Sequence, residues 1–153
     1  MSVKKLMLLL GLCVLFAGCS TGRYDSELPP SKVPLSKTDI GMRYLLGRGV
    51  AQNNVKAFYY FNEAANDDDP FAQNELAYMY AAGKGTPRDY TKALAWYQKA
   101  ANHGLASAQY SLGLLYLHGL GTAPNRPLAM QWFQKSASHG FEPAKIILTQ
   151  SES

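Results

Sequence analysis

Leu112-Gly113-Leu114-Leu115-Tyr116-Leu117-His118-Gly119-Leu120-Gly121 is the stretch whose glycines and tyrosine return at a fixed distance along the chain. Gly119 repeats Gly83 and Gly47, Gly121 repeats Gly85 and Gly49, and Tyr116 repeats Tyr80 and Tyr44, always 36 residues apart. Ala57, Ala93 and Ala129 keep the same period, as do Ala65, Ala101 and Ala137, with no insertion between them. A period of roughly 20–50 residues marks a stacked repeat array, in which each unit buries its apolar face against the next. Such an array offers a long surface rather than one catalytic centre.

Two helical patterns fill each unit. The second is the clearer: Ala93, Leu94, Trp96, Tyr97, Ala100 and Ala101 fall at i, i+1, i+3, i+4, i+7 and i+8. Ala57 to Ala65 and Ala129 to Ala137 repeat that spacing, which is one broad apolar face of an amphipathic helix. Asn53, Asp89 and Asn125 precede these faces at the place of an N-cap, and Pro127 falls in a first turn, where its missing N–H costs nothing. First helices are expected from about Ser36, Phe71 and Ser107, with Ile40, Leu76 and Leu112 and then Tyr44, Tyr80 and Tyr116 as core positions. Gly41, Ala77 and Gly113 share a register in which small side chains let two helices approach. The glycine pairs end the first helices, as a left-handed C-cap and a tight turn require.

These patterns predict an all-α solenoid of three 36-residue helix-turn-helix repeats, over about 34–69, 70–105 and 106–141. A closing helix to residue 150, with Ala144, Ile146, Ile147 and Leu148, covers the last unit. The repeat domain is thus expected over 36–150 as one monomeric body.

The front of the chain has a different character. Lys4 and Lys5 precede an apolar run from Leu6 to Ala17, too short to span a bilayer, and Ala17-Gly18 stand directly before Cys19. Residues 1–18 read as a removable export signal. The tail Ala17-Gly18-Cys19 resembles the lipobox of bacterial lipoproteins, with Phe16 where Leu or Val is usual. That resemblance implies acylation of Cys19, anchoring in the membrane, and, since Ser20 rather than aspartate follows, the periplasmic face of the outer membrane. Cys13 leaves with the signal, so the mature chain has no partner for an internal disulfide. Each buried acyl CH₂ contributes about 0.8 kcal/mol to anchoring. Residues 19–35, with Pro29, Pro30 and Pro34, read as a tether.

Charge adds little. The chain holds 15 basic and 11 acidic residues, and the signal carries two of the lysines. No basic stripe with interleaved aromatics appears, so nucleic acid is not an expected partner.

The strings from Leu112 to Gly121 and from Lys92-Ala93 through Trp96-Tyr97 to Ala100-Ala101-Asn102-His103-Gly104 resemble the Sel-1-like repeat, a relative of the tetratricopeptide repeat. The resemblance implies an α/α superhelical stack of antiparallel hairpins with the first helices on its concave side, and adaptor or scaffold roles. It implies no cofactor. The first unit departs from the pattern, ending in Asn66-Asp67-Asp68-Asp69-Pro70 where the others carry a turn glycine. Aspartate tolerates that position better than most residues.

No catalytic set emerges. His103 and His139 recur in register at helix ends, and His118 reads as a surface or partner-contacting residue. No His/Cys cluster has metal spacing. Gly83-Lys84-Gly85-Thr86 lacks the leading glycine of a phosphate loop. The serine–lysine pair of a β-lactam hydrolase, S-x-x-K, occurs only as Ser2 to Lys5, inside the signal.

By analogy with tetratricopeptide packing, three rows of first-helix residues point into the concave face: Thr38, Asn74 and Tyr110; Asp39, Glu75 and Ser111; Met42, Tyr78 and Leu114. They either grip a partner peptide or helix or pack between neighbouring helices. The expected protein is a lipid-anchored interaction scaffold of the bacterial envelope, binding an envelope protein or peptide. The alternatives are a periplasmic regulator that holds a sensor or protease inactive, a secreted host-interaction factor, and, least, a β-lactam or peptidoglycan hydrolase.

Overall fold

The computed structural model describes residues 34–151. The expected signal, Cys19 and the tether up to residue 33 lie outside the described residues. Seven helices follow one another: α1 (Lys37–Leu46), α2 (Asn54–Asn66), α3 (Pro70–Ala82), α4 (Tyr90–Asn102), α5 (Ala106–His118), α6 (Arg126–Ser138) and α7 (Glu142–Ser151). No strand occurs among the described residues. Contacts run between consecutive helices, so the helices form a row of hairpins, α1/α2, α3/α4 and α5/α6, closed by α7.

Local chemistry sets the helix ends. The side chains of Asn53, Asp89 and Asn125 each accept a hydrogen bond from the backbone N–H three residues on, at Lys56, Lys92 and Leu128. Ser36 and Asp39 form a reciprocal capping box on α1, so that helix begins one residue after the expected serine. Asp69 caps α3 and Pro70 opens it, while Leu105 leaves α5 without a side-chain cap. The three loops within the hairpins close alike: the N–H of Asn53, Asp89 or Asn125 donates to the carbonyl of Tyr44, Tyr80 or Tyr116. Asp68 takes φ 65°, where Gly104 and Gly140 take 85° and 82° at the other two inter-unit turns.

The core is the alanine and aromatic face read from the second helices. Ala57, Phe61, Ala93, Ala100, Ala129 and Phe133 are fully buried, facing Tyr44, Leu76 and Leu112 of the first helices. Tyr80 and Tyr116 are only partly buried against this core. On α7, Ala144 is fully buried, but Ile146 is 49 % exposed.

Two close approaches fix how the helices stack. A Cβ on Gly41 would lie 2.9 Å from the Phe61 ring, and one on Gly113 would lie 2.6 Å from the Phe133 ring. Within each outer hairpin, glycine therefore stands where a buried ring crosses. The second glycines of the pairs serve a different contact: a Cβ on Gly85 would meet the Asn54 carbonyl oxygen at 2.2 Å, and one on Gly121 the Tyr90 oxygen at 2.4 Å. Each unit's loop thereby rests on the start of the preceding unit's second helix, which sets the register between units.

Gly113→Ala tests the first contact. Helix propensity alone would stabilise α5 by up to about 1 kcal/mol. Overpacking against the immobile Phe133 ring costs about 1–3 kcal/mol. A net loss of stability in denaturant titration is expected, with partial recovery when Phe133→Leu is added.

Candidate binding groove

Between the second and third hairpins lies an open groove of about 340 Å³. Tyr78, Ala81 and Ala82 of α3 form one wall, and Ser111, Leu114 and His118 of α5 the other. Tyr90 and Tyr97 of α4 also line it. The first helices form the walls because they neighbour one another along the stack, leaving the second helix between them to supply a residue from beneath.

Tyr97 is that residue. Its ring is buried in the core, and its phenol is hydrogen-bonded by the Ser111 side chain. Burial pushes the phenol up to about 12, so it remains a neutral hydroxyl at any ordinary pH. Glu75, one turn before Tyr78 on α3, acts on it electrostatically. Burial raises the Glu75 carboxyl, and the Asn74 side-chain amide, donating to its Oε1 at 3.0 Å, offsets part of that. A half-buried carboxylate with one neutral hydrogen-bond donor stands at this end of the groove.

The nine residues expected on the concave face separate into two groups. Tyr78, Ser111 and Leu114 line the groove, with Glu75 close by. Tyr78 is the most open of them, 39 % exposed. The row of Thr38, Asn74 and Tyr110 is engaged elsewhere. The Thr38 hydroxyl donates to Asp69, Asn74 holds Glu75, and the Tyr110 ring packs 5.6 Å from Phe133 and 5.3 Å from Phe141 between centroids. Asp39 caps α1, and half-buried Met42 lies on that first helix, away from the groove.

Tyr97 and Tyr90 complete the groove without having been singled out for it, together with His118, read from the sequence as a surface or partner-contacting residue. Tyr97 was counted as core, and one signal did mark it: the row of Phe61, Tyr97 and Phe133 has its one hydroxyl there. The same unit carries Ala77 where its neighbours have Gly41 and Gly113. Among the described residues no group of three or more His, Cys, Asp or Glu side chains is placed to hold a metal ion. No described helix is long and apolar enough to cross a membrane.

The Sel1 repeat profile matches residues 34–69, 70–105 and 106–141. The chain belongs to the Sel1 repeat family. Solved structures agree. A Sel1 repeat protein from Oxalobacter formigenes is 41% identical, with a TM-score of 0.68 over 74% of this chain and 86% of that one. A protective antigen of uropathogenic Escherichia coli strains, displaying an SLR fold, is 34% identical, with a TM-score of 0.67 over 68% of this chain and 22% of the antigen. The cysteine-rich protein B of Helicobacter pylori is 28% identical, with a TM-score of 0.61 over 67% and 77%. No functionally curated protein matches. Sel1 repeat proteins are in general protein–protein interaction scaffolds. Residues 34–151 of this member contain no cysteine, so its repeats are held by packing and polar contacts alone.

Those polar contacts follow the Sel1 period. Positions 37 and 109 open the outer first helices and meet positions 67 and 139 at the ends of the second helices. Lys37 pairs with Asp67 at 2.7 Å, and Gln109 Oε1 lies 2.9 Å from His139 Nδ1. In the middle unit Gln73 donates to Asp68 at 2.8 Å, and His103 also turns to Asp68, at 3.2 Å. These two bonds hold the Asp68 carboxyl below the usual aspartate range.

Glu75 makes a measurable pH signature. Its carboxyl is raised in the fold above the unfolded value of about 4.3. Ionisation therefore costs stability above the raised value, and that cost disappears as pH falls through it. Glu75→Gln should raise the unfolding temperature at pH 7, with the gain shrinking to nothing near pH 4. Thermal unfolding of both proteins at the two pH values checks this.

Proposed function

We propose that this Sel1 repeat protein is a lipid-anchored scaffold of the bacterial envelope. In this reading Cys19 carries the acyl anchor, the chain faces the periplasm from the outer membrane, and a protein partner is held in the groove between the second and third units. The observation that carries the partner site is the groove itself: open, walled by first helices, and lined by aromatic and aliphatic side chains around a buried hydroxyl. Rigid aromatic side chains supply contact area at low entropic cost, which is why they dominate binding energy at protein interfaces. The apolar run from Leu6 to Ala17 behind Lys4 and Lys5, with Cys19 directly after Ala17-Gly18, supports the anchor.

In-cell crosslinking of the lipidated protein, followed by purification and mass spectrometry, tests the reading. One dominant envelope protein should be captured, be lost in Tyr78→Ala/Leu114→Ala, and fall in yield when Cys19→Ala releases the chain from the membrane. The groove variant should unfold within a few degrees of wild type. Tyr110→Ala, which removes a half-buried ring packed against Phe133 and Phe141, should instead lower stability by up to about 3 kcal/mol. Capture of nothing beyond abundant lipoproteins and cell wall would overturn the proposal.

A further inference from the structure

Positive charge gathers on one edge of the stack by the way its hairpins point. All three intra-hairpin loops lie on one edge, and these loops with the first turns after them hold Arg48, Lys56, Lys84, Arg88, Lys92 and Arg126. Asp89 is the one carboxylate among them. The opposite edge, about 20 Å away along a 13-residue helix, is mixed: Asp67, Asp68 and Asp69 in the first inter-unit turn and Glu142 after the third stand among Lys37, Lys99, Lys135 and Lys145.

Helix stability does not account for the basic edge. Lys56, Lys92 and Arg126 occupy first turns of α2, α4 and α6, where the exposed N–H groups favour acidic side chains, and none of these turns contains one. Internal pairing does not account for it either. Arg48, Lys84, Arg88 and Arg126 make no ion pair among the described residues, whereas Lys92 meets Asp89 at 3.5 Å. Two of the unpaired cations stand instead on tyrosines of the groove: Lys84 Nζ is 5.0 Å from the Tyr78 ring centroid, and the Arg88 guanidinium is 5.9 Å from that of Tyr90. The mouth of the aromatic groove is thus flanked by two cations free of carboxylate partners.

Building on the groove as a partner site, we infer that the partner presents an acidic protein segment bearing an apolar or aromatic side chain. The side chain enters between Tyr78 and Leu114, while the segment's carboxylates meet Lys84 and Arg88 at the loop edge. Glu75, on the far side of Tyr78 from Lys84, repels a carboxylate and so gives the segment one direction. The groove beside those cations favours a protein over the anionic bilayer, because a walled recess of about 340 Å³ takes a side chain, whereas a headgroup surface presents charge alone.

Fluorescence anisotropy on the mature chain carrying Cys19→Ala tests this, with a labelled peptide in which tryptophan is flanked by glutamates and a second in which lysines replace them. The acidic peptide should bind at 10 mM salt and weaken at 150 mM, as the screening length drops from about 30 to about 8 Å. Lys84→Glu/Arg88→Glu should weaken it at least about tenfold at low salt, with an unchanged circular dichroism spectrum. Equal binding of both peptides, no binding of the acidic one, or indifference to the charge reversal overturns the inference. So does tighter binding to phosphatidylglycerol vesicles than to the peptide, which would assign the edge to lipid. The in-cell crosslink separates the two claims. A partner lost in Tyr78→Ala/Leu114→Ala but retained in Lys84→Glu/Arg88→Glu removes the acidic segment and leaves the scaffold. Absence of any partner removes both.

Discussion

The stack depends on how closely two helices of a hairpin approach at residues 41, 77 and 113. At the outer units glycine admits a phenylalanine ring, Phe61 or Phe133, each fully buried. Burying a side chain of that size contributes about 1.5–3 kcal/mol, well above the roughly 1 kcal/mol that helical glycine gives up. The balance therefore favours glycine inside a helix, a place it is otherwise avoided. Once the ring is seated, the hairpin angle is settled, and the remaining apolar faces of α2, α4 and α6 have one direction left in which to be covered.

Between hairpins a second close approach, Gly85 on Asn54 and Gly121 on Tyr90, carries the register. Polar contacts reinforce it: Gln73 donates to the Ala65 carbonyl at 3.4 Å, and Gln109 donates to that of Ala101 at 3.2 Å. Within the first unit Lys37 and Asp67 pair as ions, where Gln109 and His139 stand in the third. Backbone shape and side-chain pairing thus repeat together, which is how a stack free of cysteine in residues 34–151 holds its units in line.

The middle unit breaks the pattern, and the groove lies beside the break. Ala77 replaces glycine and Tyr97 replaces phenylalanine, so a hydroxyl reaches Ser111 of the next unit. A half-buried carboxylate, Glu75, is kept nearby at a cost to stability. Departures from a repeat that disfavour folding locally while shaping an open cavity are the expected mark of a surface used for recognition.

Sequence by itself determined the helices, their caps and the number of units, because each rests on local chemistry: periodic apolar faces, the Asn53, Asp89 and Asn125 caps, and glycines at left-handed turns. It also singled out, by analogy, three rows of first-helix residues that either line the concave face or pack. What it left open was which of those rows are spent on packing. Tyr110 and Tyr78 are both first-helix tyrosines, yet one lies against Phe133 and Phe141 and the other lines the groove. That difference depends on rings contributed from other helices, and no spacing within α3 or α5 encodes it. The gathering of positive charge on one edge is likewise a tertiary fact. Arg48, Lys84 and Arg126 are far apart in the chain, and they share an edge only because every hairpin points the same way.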